Sequence, residues 1–134
     1  MGRECSHQKW SRRNTPKFTV SSGDTVSFDA IDSSNGQLDT SSKASAIKTL
    51  DLGLANPVFG PIYMNDAQPG DVLKVEVLNL EVADWGWSAI IPGFGLLADE
   101  FPEPEIKIWE LNREAGFAQF KNMRIPLRPF LGCM

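Results

Sequence analysis

Apolar and polar residues alternate along several short stretches of the chain, the period of a strand with one face covered and the other wet. In residues 17–20 the apolar positions are Phe18 and Val20, and in residues 25–31 they are Val26, Phe28 and Ala30. Ser21-Ser22-Gly23-Asp24 lies between them, so the pattern predicts a hairpin. Alternation is strongest over residues 72–82, where Leu73, Val75 and Val77 face one way, Lys74 and Glu76 the other, and the apolar set then shifts to Leu78, Leu80 and Val82. Two apolar residues in succession at Val77-Leu78 predict a bulge, or burial of both faces there. Shorter strands are expected at residues 60–64, 106–109 and 117–120, with turns at 66–71 and 112–116. Residues 125–131 are apolar, but Pro126 and Pro129 bar them from the middle of a sheet. Ile47, Leu50 and Leu54 stand at helical spacing and predict one short helix within residues 44–54, stopped by Asn56-Pro57. About six to eight short strands joined by Gly- and Pro-rich turns predict a mainly β fold, a sandwich or barrel with little helix.

Two Gly-Asp turns, Gly23-Asp24 and Gly70-Asp71, each lead into an alternating stretch. They read as one turn solution used twice: glycine supplies a positive dihedral and aspartate bonds its own backbone. Residues 86–101 are of another kind. Gly86, Pro92, Gly93 and Gly95 permit or fix unusual backbone angles, while Trp87, Phe94 and Phe101 each need a large apolar surface as cover. The mixture predicts a buried, irregular loop shaped against something; a connecting loop wedged beneath a sheet edge accounts for the same residues. Residues 32–45 are the opposite, a long polar loop with Leu38 as its one sizeable apolar side chain. Such a loop inside a compact domain is functional or mobile. Pro102 and Pro104, with Glu100, Glu103 and Glu105, predict a rigid surface corner.

Composition narrows the class. With 134 residues, 42% of them hydrophobic, the chain fits one domain able to bury a respectable core and is not disordered throughout. A net charge of −4, from 13 basic and 17 acidic residues with no basic run beyond Arg12-Arg13, argues against a nucleic-acid partner. No apolar run approaches the roughly 20 residues of a membrane-spanning helix, and the first residues lack an export signal, so a cytoplasmic protein without a membrane partner is expected. Met1-Gly2 with Ser6 meets the short myristoylation pattern, which chance often satisfies. Cys5 and Cys133, at opposite ends, read as reduced thiols and not as a disulfide framework.

Candidate chemistry is sparse. There is no Gly-x-Ser-x-Gly elbow, neither cysteine sits in a recognisable catalytic string, and the chain has one histidine. His7 is the first candidate, because imidazole titrates nearest neutral pH and ligates metals; an exposed histidine in a polar terminus is the alternative. Asp99 would serve as a base or metal ligand if the glycine loop withdrew it from water, since burial makes a carboxylate more basic. A solvated carboxylate is the alternative, and it is the preferred reading for Glu100, Glu103 and Glu105. Trp85, Trp87 and Phe94 read as core.

Several strings in order resemble the acetamidase/formamidase family of linear-amide hydrolases. They are His7-Gln8-Lys9-Trp10, Asn35-Gly36-Gln37, Gly60-Pro61-Ile62-Tyr63, Gln68-Pro69-Gly70-Asp71-Val72-Leu73-Lys74-Val75-Glu76-Val77, residues 86–101, and Arg124-Ile125-Pro126-Leu127-Arg128-Pro129-Phe130-Leu131-Gly132. The resemblance implies a β-sandwich or jelly-roll-like domain and hydrolysis of short linear amides, such as formamide and acetamide, to a carboxylate and ammonia. It implies a divalent metal, zinc or calcium, in the full-length family, and it raises His7 and Gln37 as site residues beside Asp99. The Gln37 amide can donate to a substrate carbonyl and accept from its nitrogen; a loop amide bonded to nearby backbone is the other reading.

Family members continue beyond this length into a His-x-x-Gln-Gly-Asp-Gly-Glu segment that has no counterpart here. The expectation is a single N-terminal β domain over residues 1–134, truncated relative to the family and incomplete. Its metal site would lack a closing segment, its own activity would be weak or absent, and its uncovered apolar faces would favour a homo-oligomer or other association. The alternative is a catalytically inactive truncated β domain that acts as a binding or assembly partner.

Overall fold

The computed structural model describes residues 5–132, so Met1, Gly2 and Cys133 lie outside the described residues. The chain divides into two compact units, one taking in the described residues up to Asn35 with Leu52–Leu78, the other Gly36–Asp51 with Asn79–Gly132. Among the described residues are eight strands and one four-residue α-helix, a mainly β structure as the alternation predicts.

In the first unit, β1 (Ser6–His7) runs antiparallel to β3 (Val58–Phe59), and β2 (Phe18–Val20) runs parallel to β4 (Ile62–Met64). Loop backbone extends both ladders: the Gly60 amide donates to the Cys5 carbonyl at 2.8 Å and the Lys17 amide to the Pro61 carbonyl at 2.8 Å. The hairpin expected from residues 17–31 does not form. Its turn is present, yet the chain beyond it makes no ladder with β2, whose partner is β4. Phe28 instead sets its ring 5.9 Å from Phe18 and 6.1 Å from Phe59. Alternation had identified the covered face, but the period carries no information about which strand lies alongside.

The two Gly-Asp turns are built alike. The Asp24 amide donates to the Ser21 carbonyl at 3.1 Å while the Asp24 carboxylate accepts from the Ser21 amide at 2.8 Å. Asp71 repeats both bonds with Gln68, at 3.0 and 2.8 Å, and Gly23 and Gly70 sit at φ 91° and 103°. In contrast, the stretch after the second turn, residues 72–82, belongs to no strand despite having the clearest alternation.

The second unit is organised by an antiparallel sheet in the order β5 (Trp85–Ile90), β6 (Glu105–Asn112), β7 (Phe117–Phe120), β8 (Met123–Pro126). Residues 86–90, read as part of an irregular loop, thus lie in a regular strand, with Trp87 opposite Ile108. The expected helix over residues 44–54 is reduced to α1 (Ala44–Ile47), which packs against β6, and a separate 3-10 turn at Leu52–Leu54. One turn of helix has little intrinsic stability, and Ile47 alone of the three spaced apolar residues is buried. Pro126 ends the edge strand β8, the position a proline tolerates. Pro104 is buried, contrary to the expected surface corner, while Glu100, Glu103 and Glu105 around it are exposed. The core is thinner than composition suggested: among the described residues its buried apolar members are Cys5, Leu38, Ile47 and Ala118.

Candidate functional site

His7 ends β1 in the first unit, opposite Val58 of β3. Its ring is half-buried and meets Trp10 edge-on, with centroids 6.4 Å apart and planes at 85°. Its Nδ1 is closed off from solvent and has no hydrogen-bond partner. A buried polar atom left in this state costs about 1–3 kcal/mol, and in a native fold it calls for an explanation. The turn after His7 is ordered by its own bonds: the Asn14 side chain donates to the Lys9 carbonyl at 2.9 Å, and the Arg13 amide to the Ser11 hydroxyl at 3.1 Å.

Gln37 and Asp99 both belong to the second unit. The Gln37 amide is spent on backbone: its Nε2 donates to the Asp51 carbonyl at 3.0 Å, and its Oε1 accepts from the Asp51 amide at 2.8 Å. This two-point clamp closes the loop that carries Leu38 and α1. We expect Gln37→Ala to lower the stability of the chain by about 1–2 kcal/mol, through loss of both bonds, as measured by urea unfolding. A variant with unchanged stability would show that the clamp is not holding the loop.

Within the same loop, Asp39 organises Ser41 and Ser42. One carboxylate oxygen accepts from the Ser41 hydroxyl at 2.7 Å, the Ser41 amide at 2.8 Å and the Ser42 hydroxyl at 3.2 Å. The Ser41 hydroxyl first, then the Ser41 amide and the Ser42 hydroxyl, hold the carboxyl below its usual range. A folded-state value below the unfolded one stabilises the turn above the unfolded value, near pH 4, and that support fades as pH falls through the folded value. Protection of the Ser41 amide against hydrogen exchange should therefore drop in acid, and Asp39→Asn should remove this dependence on pH.

Asp99 is exposed, in a loop over residues 91–101 where the Glu100 and Phe101 amides both donate to the Leu97 carbonyl at 3.1 Å. Phe94, Leu96, Leu97 and Phe101 in this loop are also exposed, so it is not the buried loop its composition suggested. Ala89, Ile90, Ile91, Phe94, Leu97, Ala98 and Phe101 line an open apolar cleft of about 270 Å³. Desolvation of the Asp99 carboxylate, the condition for its use as a base, is not met here.

The described residues do not fit a divalent metal ion held by this chain's own side chains. No three His, Cys, Asp or Glu side chains gather among them, whereas zinc takes about four ligands and calcium about six to eight. Ser34 was not singled out from the sequence; it is fully buried, and its amide donates to the Asp32 carboxylate at 2.8 Å. The Asp-x-Ser turn pattern was the available signal for it. No sequence signal marks the unpartnered Nδ1 of His7.

The model of the acetamidase/formamidase family matches residues 2–134. The chain belongs to the acetamidase/formamidase family. A formamidase from Methylophilus methylotrophus is 29% identical over 112 residues, 79% of this chain and 28% of that protein. An acetamidase from Mycolicibacterium smegmatis is 26% identical over 119 residues, 79% of this chain and 29% of that protein. This member of the family thus spans under a third of the length of these relatives. Among solved structures, an acetamidase from Bacillus halodurans superposes with a TM-score of 0.83 at 29% identity, covering 92% of this chain and 41% of the other.

Proposed function

We propose that this chain serves the hydrolysis of short linear amides, with formamide and acetamide as substrates and His7 as the group that carries the proton. The match to the acetamidase/formamidase family across residues 2–134 carries the reading. Relatives named formamidase and acetamidase point to the same substrate class. In the reaction, water adds to the amide carbonyl, the carbon–nitrogen bond breaks, and one proton from water reaches the departing nitrogen, leaving a carboxylic acid and ammonia, which exchange a further proton to become carboxylate and ammonium. An imidazole is suited to that transfer because it takes a proton at one ring nitrogen and releases one from the other.

The test is ammonia release from formamide and acetamide by the purified chain, with zinc and calcium added in separate arms. Release in step with carboxylate is the expected result. A folded chain that releases no ammonia in any arm overturns the assignment of this activity to it.

A further inference from the structure

Residues 72–78 carry the alternation of a strand but belong to no ladder. The Lys74 ammonium lies 3.6 Å from the Glu76 carboxylate, and the Asn79 side-chain amide donates to Glu81 at 2.9 Å. Contacts between side chains two apart suit the two-residue period of the alternation, whereas on a helix such side chains point away from each other. Among the described residues, residues 72–78 make no backbone–backbone hydrogen bond. Val72 is 94% exposed, and Leu73, Val75, Val77 and Leu78 are each more than half exposed. An edge of this kind, with an apolar face and unpaired amides and carbonyls, is a template for another strand.

The order of the side chains selects which strand. As a pattern of apolar and charged positions, Val72-Leu73-Lys74-Val75-Glu76-Val77-Leu78 reads alike from both ends if the two charges are exchanged. In an antiparallel pair of copies centred on Val75, Lys74 faces Glu76 of the second copy and Glu76 faces its Lys74. Leu73 then meets Val77, and Val72 meets Leu78. Opposite charges and apolar residues placed directly across a ladder stabilise it, and like charges destabilise it. Shifting the register by two residues sets Lys74 against Lys74 or Glu76 against Glu76, and a parallel in-register pair does both.

We propose that residues 72–78 are a self-complementary docking edge through which two copies of this chain associate about a two-fold axis, in the register centred on Val75. The interface is isologous, so the Lys74–Glu76 pair forms twice.

Sedimentation of the 134-residue chain over a range of concentrations reads the association directly. The parent chain should dimerise reversibly, whereas a monomer at every concentration overturns the proposal. K74E and E76K each place like charges opposite one another twice, and each alone should weaken dimerisation roughly tenfold or more. An equimolar mixture of the two variants should recover a heterodimer, because the paired carboxylates of the K74E strand then face the paired ammonium groups of the E76K strand. The double variant K74E/E76K should dimerise like the parent. Both sites are exposed, so circular dichroism should confirm unchanged folding in each variant. Single variants that dimerise as well as the parent, or a mixture that fails to recover, would exclude this register and the proposal with it.

Discussion

His7→Phe should reduce ammonia release from formamide by about 10²–10⁴-fold, the usual contribution of a proton-transfer group. Stability should stay the same or rise by up to about 1–3 kcal/mol, because the replacement removes a buried nitrogen that has no partner. The two effects are expected to move apart for a physical reason. Phenylalanine keeps a flat ring for Trp10 to meet edge-on and keeps the backbone of β1 paired with β3, but it cannot carry a proton. A histidine retained only for packing would behave differently, leaving whatever activity exists untouched. Parallel measurement of ammonia release and urea unfolding therefore separates the two roles. Unchanged activity in His7→Phe would remove His7 from the reaction, and a stability loss well above about 1 kcal/mol would show that the imidazole nitrogens have a structural role.

Leu38→Ala should destabilise the chain by about 2–5 kcal/mol, the cost of removing a buried leucine and leaving part of its volume empty. Leu38 is 3% exposed and lies with Ile47 and Ala118 among the buried apolar side chains of the second unit. With so few members, each carries a large share of that buried apolar surface. Leu96→Ala is the matched control, because Leu96 is fully exposed and its truncation should shift stability by no more than about 0.5 kcal/mol. Thermal or urea unfolding of the two variants compares one residue type in two settings. Equal effects would mean that Leu38 is not part of a working core.

These two leucines also mark where hydrophobic pattern stops being informative. Leu38 stands in a polar loop and Leu96 in an apolar one, yet the first is buried and the second exposed. Residues 32–45 are drawn in by the Gln37 clamp on Asp51 and by the helical turn at Ala44–Ile47, contacts that composition cannot express. At the candidate site the limit is similar. The single histidine was legible as the first suspect, but the state of its Nδ1 depends on what surrounds it in space. Gln37 and Asp99 were legible as residue types suited to amide chemistry, while their settings, clamped to backbone and exposed to solvent, follow from tertiary contacts.

What the sequence determined by itself is local. The Ser21–Asp24 and Gln68–Asp71 turns follow from a glycine beside an aspartate whose carboxylate accepts from the backbone amide three residues earlier, and the alternating runs follow from the two-residue period of extended chain. The strings that resemble the acetamidase/formamidase family are likewise legible in the sequence, and the family match spans residues 2–134. Tertiary structure alone decided pairing. It set β2 beside β4 instead of in a hairpin, made a regular strand of residues 85–90, and left the best-patterned stretch, residues 72–82, without a ladder. The physical reason is that alternation records which face of a strand avoids water, whereas a ladder also needs a second backbone at hydrogen-bonding distance, and no single segment contains its own neighbour.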